Sequence, residues 1–150
     1  MQPVAECAAS GKGRTMSEVQ TFEQTTDGIR VQVASMYLEQ QSDAEENRHV
    51  WAYQVRIKNL GTVPVQLLTR RWRITDGYGQ AHEVIGDGVV GDKPVLQPGG
   101  DYEYSSGTPL ATSTGFMTGI FQMIDAQGRR FAVQVPAFSL DGPDIRRAVH

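Results

Sequence analysis

Three features of the sequence predict an all-β antiparallel sandwich. Apolar and polar residues alternate over several short segments, turn residues separate those segments at regular intervals, and helical periodicity is absent. A sheet that is apolar on one face must cover that face, and without strand-helix alternation the cover is a second sheet. The chain has 150 residues, of which 39% are hydrophobic and 21% charged. That is enough apolar material for one core and too short a chain for two.

The elements follow in chain order. Residues 1–15 are small, polar and glycine-containing, and are expected to be an N-terminal extension outside a domain of residues 16–150. Cys7 lies within that extension with no neighbouring base to lower its pKa. Ile29, Val31 and Val33 alternate with Arg30 and Gln32, after which Met36 and Leu38 take over, a change of phase that predicts a bulge near Ala34 and Ser35. Residues 39–47 are polar and acidic, a solvated loop. Residues 48–60 form the clearest strand, with Trp51, Tyr53, Val55 and Ile57 on one face and Gln54, Arg56 and Lys58 on the other.

A turn at Asn59 to Thr62 leads into a strand over residues 65–76, with Leu68, Trp72 and Ile74 opposite Arg71 and Arg73. Asp76-Gly-Tyr-Gly79 marks a tight turn, and Gln80 to Ile85 returns as a short strand. Residues 86–100 are rich in glycine and proline and predict an irregular connection, with Gly86 to Pro94 free of helix. Tyr102 and Tyr104 alternate with Glu103 and Ser105 in a further strand. The last hairpin joins Gly115 to Ile124 with Arg129 to Phe138 through a turn at Asp125 to Gly128. About seven to eight strands of this kind fit an immunoglobulin-like or fibronectin type III-like sandwich. Pro98, Gly99 and Tyr102 add the pattern of a tyrosine corner, with Tyr102 as an architectural hydrogen-bond donor. The expected core includes Val55, Ile57, Trp72 and Phe121.

Composition excludes several functions. Lys and Arg number 14 against 17 Asp and Glu, a net charge of −3 that supplies no general field for nucleic acid. A single cysteine excludes an internal disulfide and a Cys-rich zinc cluster. No apolar run is long enough for a membrane helix, and the N-terminus lacks the pattern of a secretory signal, so the expected location is cytoplasmic.

Specific chemistry is scarce. Gly86-Asp-Gly88-Val-Val-Gly91 is a formal G-x-G-x-x-G, but Lys93-Pro94 and Pro98 follow where a dinucleotide site needs a helix. The glycines could instead turn backbone N–H groups into an anion nest near Lys93, although Asp87 and Asp92 would repel a phosphate. His49, His82 and His150 have no diagnostic metal spacing, and His82 and Glu83 point to opposite faces of a strand. Ser105, Ser106 and Thr108 lack a nucleophile elbow. Arg70, Arg71 and Arg73 form a basic cluster, with Arg71 and Arg73 on the outer face of their sheet.

Four segments carry a family resemblance: Trp72-Arg-Ile-Thr-Asp-Gly77, Glu83-Val-Ile-Gly-Asp-Gly-Val-Val-Gly-Asp-Lys-Pro94, Leu96-Gln-Pro-Gly-Gly-Asp-Tyr-Glu-Tyr-Ser-Ser-Gly107 and Met117-Thr-Gly-Ile-Phe-Gln-Met-Ile-Asp125. From about Ser17 to His150 the chain resembles the bacterial ApaG family. The resemblance implies a fibronectin type III-like sandwich, an association with cobalt and magnesium efflux, and a recognition role, since related domains occur in an F-box protein and a DNA-polymerase-interacting protein. It maps the family's glycine motif onto Gly86, Gly88 and Gly91. The expected function is therefore a cytoplasmic, non-enzymatic binding or regulatory domain without a cofactor, a monomer or weak homodimer. Its contact surface is expected at Gly86, Gly88, Val89, Val90, Gly91 and Lys93, and its partner is a protein. The competing reading is a pyrophosphate or dinucleoside-polyphosphate bound by the same loop.

Overall fold

The computed structural model describes residues 20–142; the expectations for the N-terminal extension, Cys7 and His150 lie outside them. Nine strands follow in order: β1 (Gln20–Thr26), β2 (Ile29–Tyr37), β3 (His49–Asn59), β4 (Val65–Asp76), β5 (Ala81–Asp87), β6 (Val95–Leu96), β7 (Asp101–Leu110), β8 (Thr114–Asp125) and β9 (Arg130–Asp141). They form two antiparallel sheets, ordered β1-β2-β3-β7 and β5-β4-β8-β9, with β6 paired to β4. Without β1 and β6 this is the three-plus-four arrangement of a fibronectin type III-like sandwich.

The inner faces meet in one aromatic core. Val55, Ile57, Trp72 and Phe121 are buried, as alternation predicts. Trp72 stands at its centre, with ring centroids 5.6 Å from Tyr53 and 6.1 Å from both Phe121 and Phe138. Gly119 pairs with Trp72 across the β4/β8 ladder, and a Cβ there would lie 2.7 Å from the indole. The absent side chain is the seat of the ring.

Three expectations need correction. No bulge occurs at Ala34 and Ser35, because β2 keeps continuous register with β1 and β3. The core-facing position is filled by Ser35, buried with its hydroxyl donating to the Ser139 carbonyl at 3.3 Å, so a polar residue hides an unbroken alternation. The register shifts fall instead near Leu68 of β4 and opposite Thr118, where β9 carries the extra residue. Strand β5 runs past Ile85 to Asp87, which places Gly86 in the β4/β5 ladder rather than in the loop. Strand β1, and strand β6 within the connection expected to be irregular, have no counterpart among the expected strands.

The turns read as predicted. Residues 39–47 hold two short 3-10 turns, Glu39–Gln41 and Ala44–Glu46, with no buried residue. At Asp76-Gly-Tyr-Gly79 and Asp125-Ala-Gln-Gly128 the same device recurs. The aspartate carboxylate accepts the backbone N–H groups two and four residues on, and the glycine takes a φ of +85° or +86°.

Candidate functional site

The three glycines of the G-x-G-x-x-G each have a local structural reason. A Cβ on Gly86 would lie 2.8 Å from Nη1 of Arg70, whose guanidinium crosses that strand and donates from Nη1 to the carbonyls of Asp87 (3.1 Å) and Gly88 (2.9 Å). Gly88 has a φ of +63°, and a Cβ there would strike the Asp92 carbonyl oxygen. Val89 and Asp92 exchange two backbone hydrogen bonds of 2.8 Å around Val90 and Gly91, whose φ angles are +41° and +86°. Two positive φ angles in a two-residue loop are the mark of a primed hairpin turn.

This geometry places the predicted contact residues unequally. Val89 is fully buried and belongs to the core, whereas Val90 is half-exposed and Gly91 and Lys93 face solvent. Gly86 and Gly88 are occupied by Arg70 and the turn. No helix follows the motif, as expected. The N–H groups of Gly88, Val89 and Asp92 are bonded to Leu68, Asp92 and Val89 carbonyls, so three donors of the imagined nest are already engaged. Tyr102 does act as an architectural donor, but its hydroxyl reaches the Asp92 carboxylate at 2.9 Å and tethers the loop to β7. Partial burial first, and then this carboxylate, hold the phenol above its ordinary pKa.

Beside the loop, β5 is an edge strand. It pairs only with β4 and is exposed over nearly its whole length, with Val84 and Ile85 presenting apolar surface. The Gly88 N–H bonds to Leu68, and alternation back along the ladder leaves the N–H and C=O groups of Glu83 and Ile85 directed away from β4. Charged side chains, lysine above all, proline and bulges commonly guard such edges; β5 carries Glu83 and Asp87 but no lysine, proline or bulge.

Between β5 and β7 the sandwich is open, and a cleft of about 530 Å³ enters between the sheets. Arg70, His82, Tyr53, Tyr104, Ser106 and Thr108 contribute its polar groups, over a floor that includes Trp72, Ile74 and Met117. Tyr104 is 3% exposed and its hydroxyl has no hydrogen-bond partner. Burial raises the pKa of both Tyr53 and Tyr104, keeping each phenol protonated and able to donate. The sequence reading missed this site. Its signal was parity: Arg70 shares the inner face with Trp72, so the basic cluster divides, with only Arg71 and Arg73 outside.

The remaining candidates form no catalytic or metal-binding arrangement among the described residues. His49 is buried with Nδ1 3.1 Å from the Tyr37 hydroxyl. His82 lines the cleft while Glu83 lies 3.8 Å from Arg73, confirming their opposite directions. Among the described residues no three His, Cys, Asp or Glu side chains converge as a metal site. Ser105 is buried, and Ser106 and Thr108 line the cleft; among the described residues none of the three hydrogen-bonds to an imidazole.

The family model of the ApaG domain matches residues 39–125. Protein ApaG of Rhodospirillum centenum is 55% identical over 125 residues, 83% of this chain and 96% of that protein. Protein ApaG of Brucella suis biovar 1 is 51% identical over 129 residues, 86% of this chain and 99% of that protein. A crystal structure from Bordetella pertussis described as an ApaA protein superposes with a TM-score of 0.74 at 41% identity, covering 81% of this chain and 95% of that one.

Proposed function

The chain belongs to the ApaG domain family, and from that premise we propose that it is a cytoplasmic, non-enzymatic binding module whose partner is a protein segment in extended conformation. The observation that carries this reading is the exposed edge of β5, which pairs only with β4 and has no lysine, proline or bulge. Its outward N–H and C=O groups can extend a ladder, and Val84, Ile85 and Val90 add apolar contacts on either side. The 88–94 turn serves as the end stop of that edge, with Gly91 and Lys93 accessible and Val89 anchoring it from within. Any link to cobalt and magnesium tolerance then runs through the partner.

The competing pyrophosphate reading has less support, because the loop's N–H groups at Gly88, Val89 and Asp92 are bonded internally. A photo-crosslinking residue at Glu83, compared with one at Gln127 in the distant β8/β9 turn, tests the proposal in cells. The expected result is a discrete polypeptide adduct from position 83 only. Ile85→Pro removes an outward N–H without breaking a β4 bond, and should abolish the adduct while the thermal midpoint stays near that of the parent. No adduct, or one insensitive to Ile85→Pro, overturns the reading.

A further inference from the structure

We propose that the cleft between the two sheets binds a small organic carboxylate with an apolar body, its anionic end held by Arg70 and Tyr104. The proposal does not depend on whether β5 accepts a strand. The cleft has a volume of about 530 Å³, within the range of small-molecule sites. Trp72, Ile74 and Met117 form an apolar floor, and Val84, Val90 and Pro109 an apolar rim.

Charge selects the ligand. No aspartate or glutamate lines the cleft, although the chain as a whole carries −3. Its polar side chains are a guanidinium, an imidazole and hydroxyls, all able to donate. Arg70 is half-buried and forms no ion pair among the described residues. Its Nη1 is fixed by the Asp87 and Gly88 carbonyls, which pre-orients the group and leaves Nε and Nη2 for a forked contact. Gly86 is the space that makes this placement possible.

Tyr104 supplies an independent sign of a missing partner. Tyr104 lines the cleft and is 3% exposed, and its hydroxyl, closed to solvent in the unliganded protein, has no hydrogen-bond partner. A buried donor without an acceptor is rare in folded proteins, and a small shift of the Tyr104 side chain would bring its hydroxyl to a ligand oxygen in the cleft. One guanidinium balances one negative charge. A phosphate dianion would leave the second charge uncompensated in a partly desolvated cleft, so the match is to a carboxylate.

Titration of the ¹⁵N-labelled full chain with phenylacetate and octanoate tests this, with 2-phenylethanol and inorganic phosphate as contrasts. The carboxylates are expected to give saturable shifts at the Arg70 Nε–H and at the Tyr104 and Ser106 amides, and the contrasts none. Tyr104→Phe keeps the ring and should weaken phenylacetate roughly tenfold, the scale of one hydrogen bond to a charged group. Its thermal midpoint should not fall, since the lost hydroxyl has no partner in the unliganded protein. Arg70→Gln should abolish the shifts; because Arg70 also holds the 88–94 turn, its amide spectrum is compared with that of the parent, and Tyr104→Phe decides if that spectrum collapses. Absence of saturable shifts with both carboxylates, an equal response to 2-phenylethanol or phosphate, or undiminished affinity in Tyr104→Phe overturns the proposal.

Discussion

Asp125 illustrates how one side chain organises a turn and makes stability depend on pH. Its carboxylate accepts from the backbone N–H of Arg129 at 3.0 Å and of Gln127 at 2.9 Å, with Arg129 Nε at 3.4 Å. These bonds, that from Arg129 foremost, hold its pKa below the ordinary carboxylate value. A depressed folded pKa means that the contribution is fully present above the unfolded value, about 4, and is lost as pH falls through the folded one. Asp125→Asn should therefore be less stable than the parent at neutral pH, with the difference shrinking on acidification below about pH 4. Chemical denaturation across that range checks it, and a pH-independent difference would contradict the assignment. Trp72 acts at the same scale through packing alone. Trp72→Ala should cost roughly 3 to 5 kcal/mol, measured by denaturant midpoint, because the ring's neighbours Tyr53, Phe121 and Phe138 cannot all close on the void.

At the scale of elements, the segment from β5 through the 88–94 turn separates two kinds of glycine. Gly91 has a φ of +86° and no atom within 4 Å of a built Cβ, whereas Gly88 combines a φ of +63° with a collision against the Asp92 backbone. Gly91→Ala should cost about 1 kcal/mol for its left-handed conformation. Gly88→Ala should add an overpacking cost of roughly 1 to 3 kcal/mol, because the obstacle is backbone and the turn must open. Equal losses in thermal denaturation would show that the Val89/Asp92 closure has slack. The motif was visible in the sequence, but its meaning was not. Spacing alone cannot tell a glycine that exposes backbone to a ligand from one that clears a path for Arg70. Val89 was hidden for a related reason: a residue in a loop between sheets can still point into the core, and alternation gives no rule for irregular backbone.

Across the whole molecule, the parts with strict period two were legible, and the rest depended on contacts between distant segments. Strand β3 was legible because Trp51, Tyr53, Val55 and Ile57 share one face. Strand β1 was not, because Gln20–Thr26 contains one apolar residue, Phe22, and its order comes from pairing with β2 and packing of Phe22 on Phe138 at 6.1 Å. The cleft was illegible because no local pattern reveals that β5 and β7 face each other unpaired. The same long-range view bears on metal. Asp92 receives the Tyr102 hydroxyl, Asp101 pairs with Arg56 at 2.7 Å, Glu83 lies near Arg73, and Asp125 closes its own turn. His49 and His82 stand on different sheets, one bonded to Tyr37 and the other in the cleft. An ion bound to the folded chain would raise its stability with concentration. With these groups engaged by neighbouring donors or separated, cobalt(II) and magnesium ions, or their removal by a chelator, should leave the thermal midpoint unchanged. A midpoint that climbs with either ion would mean that the domain binds metal directly.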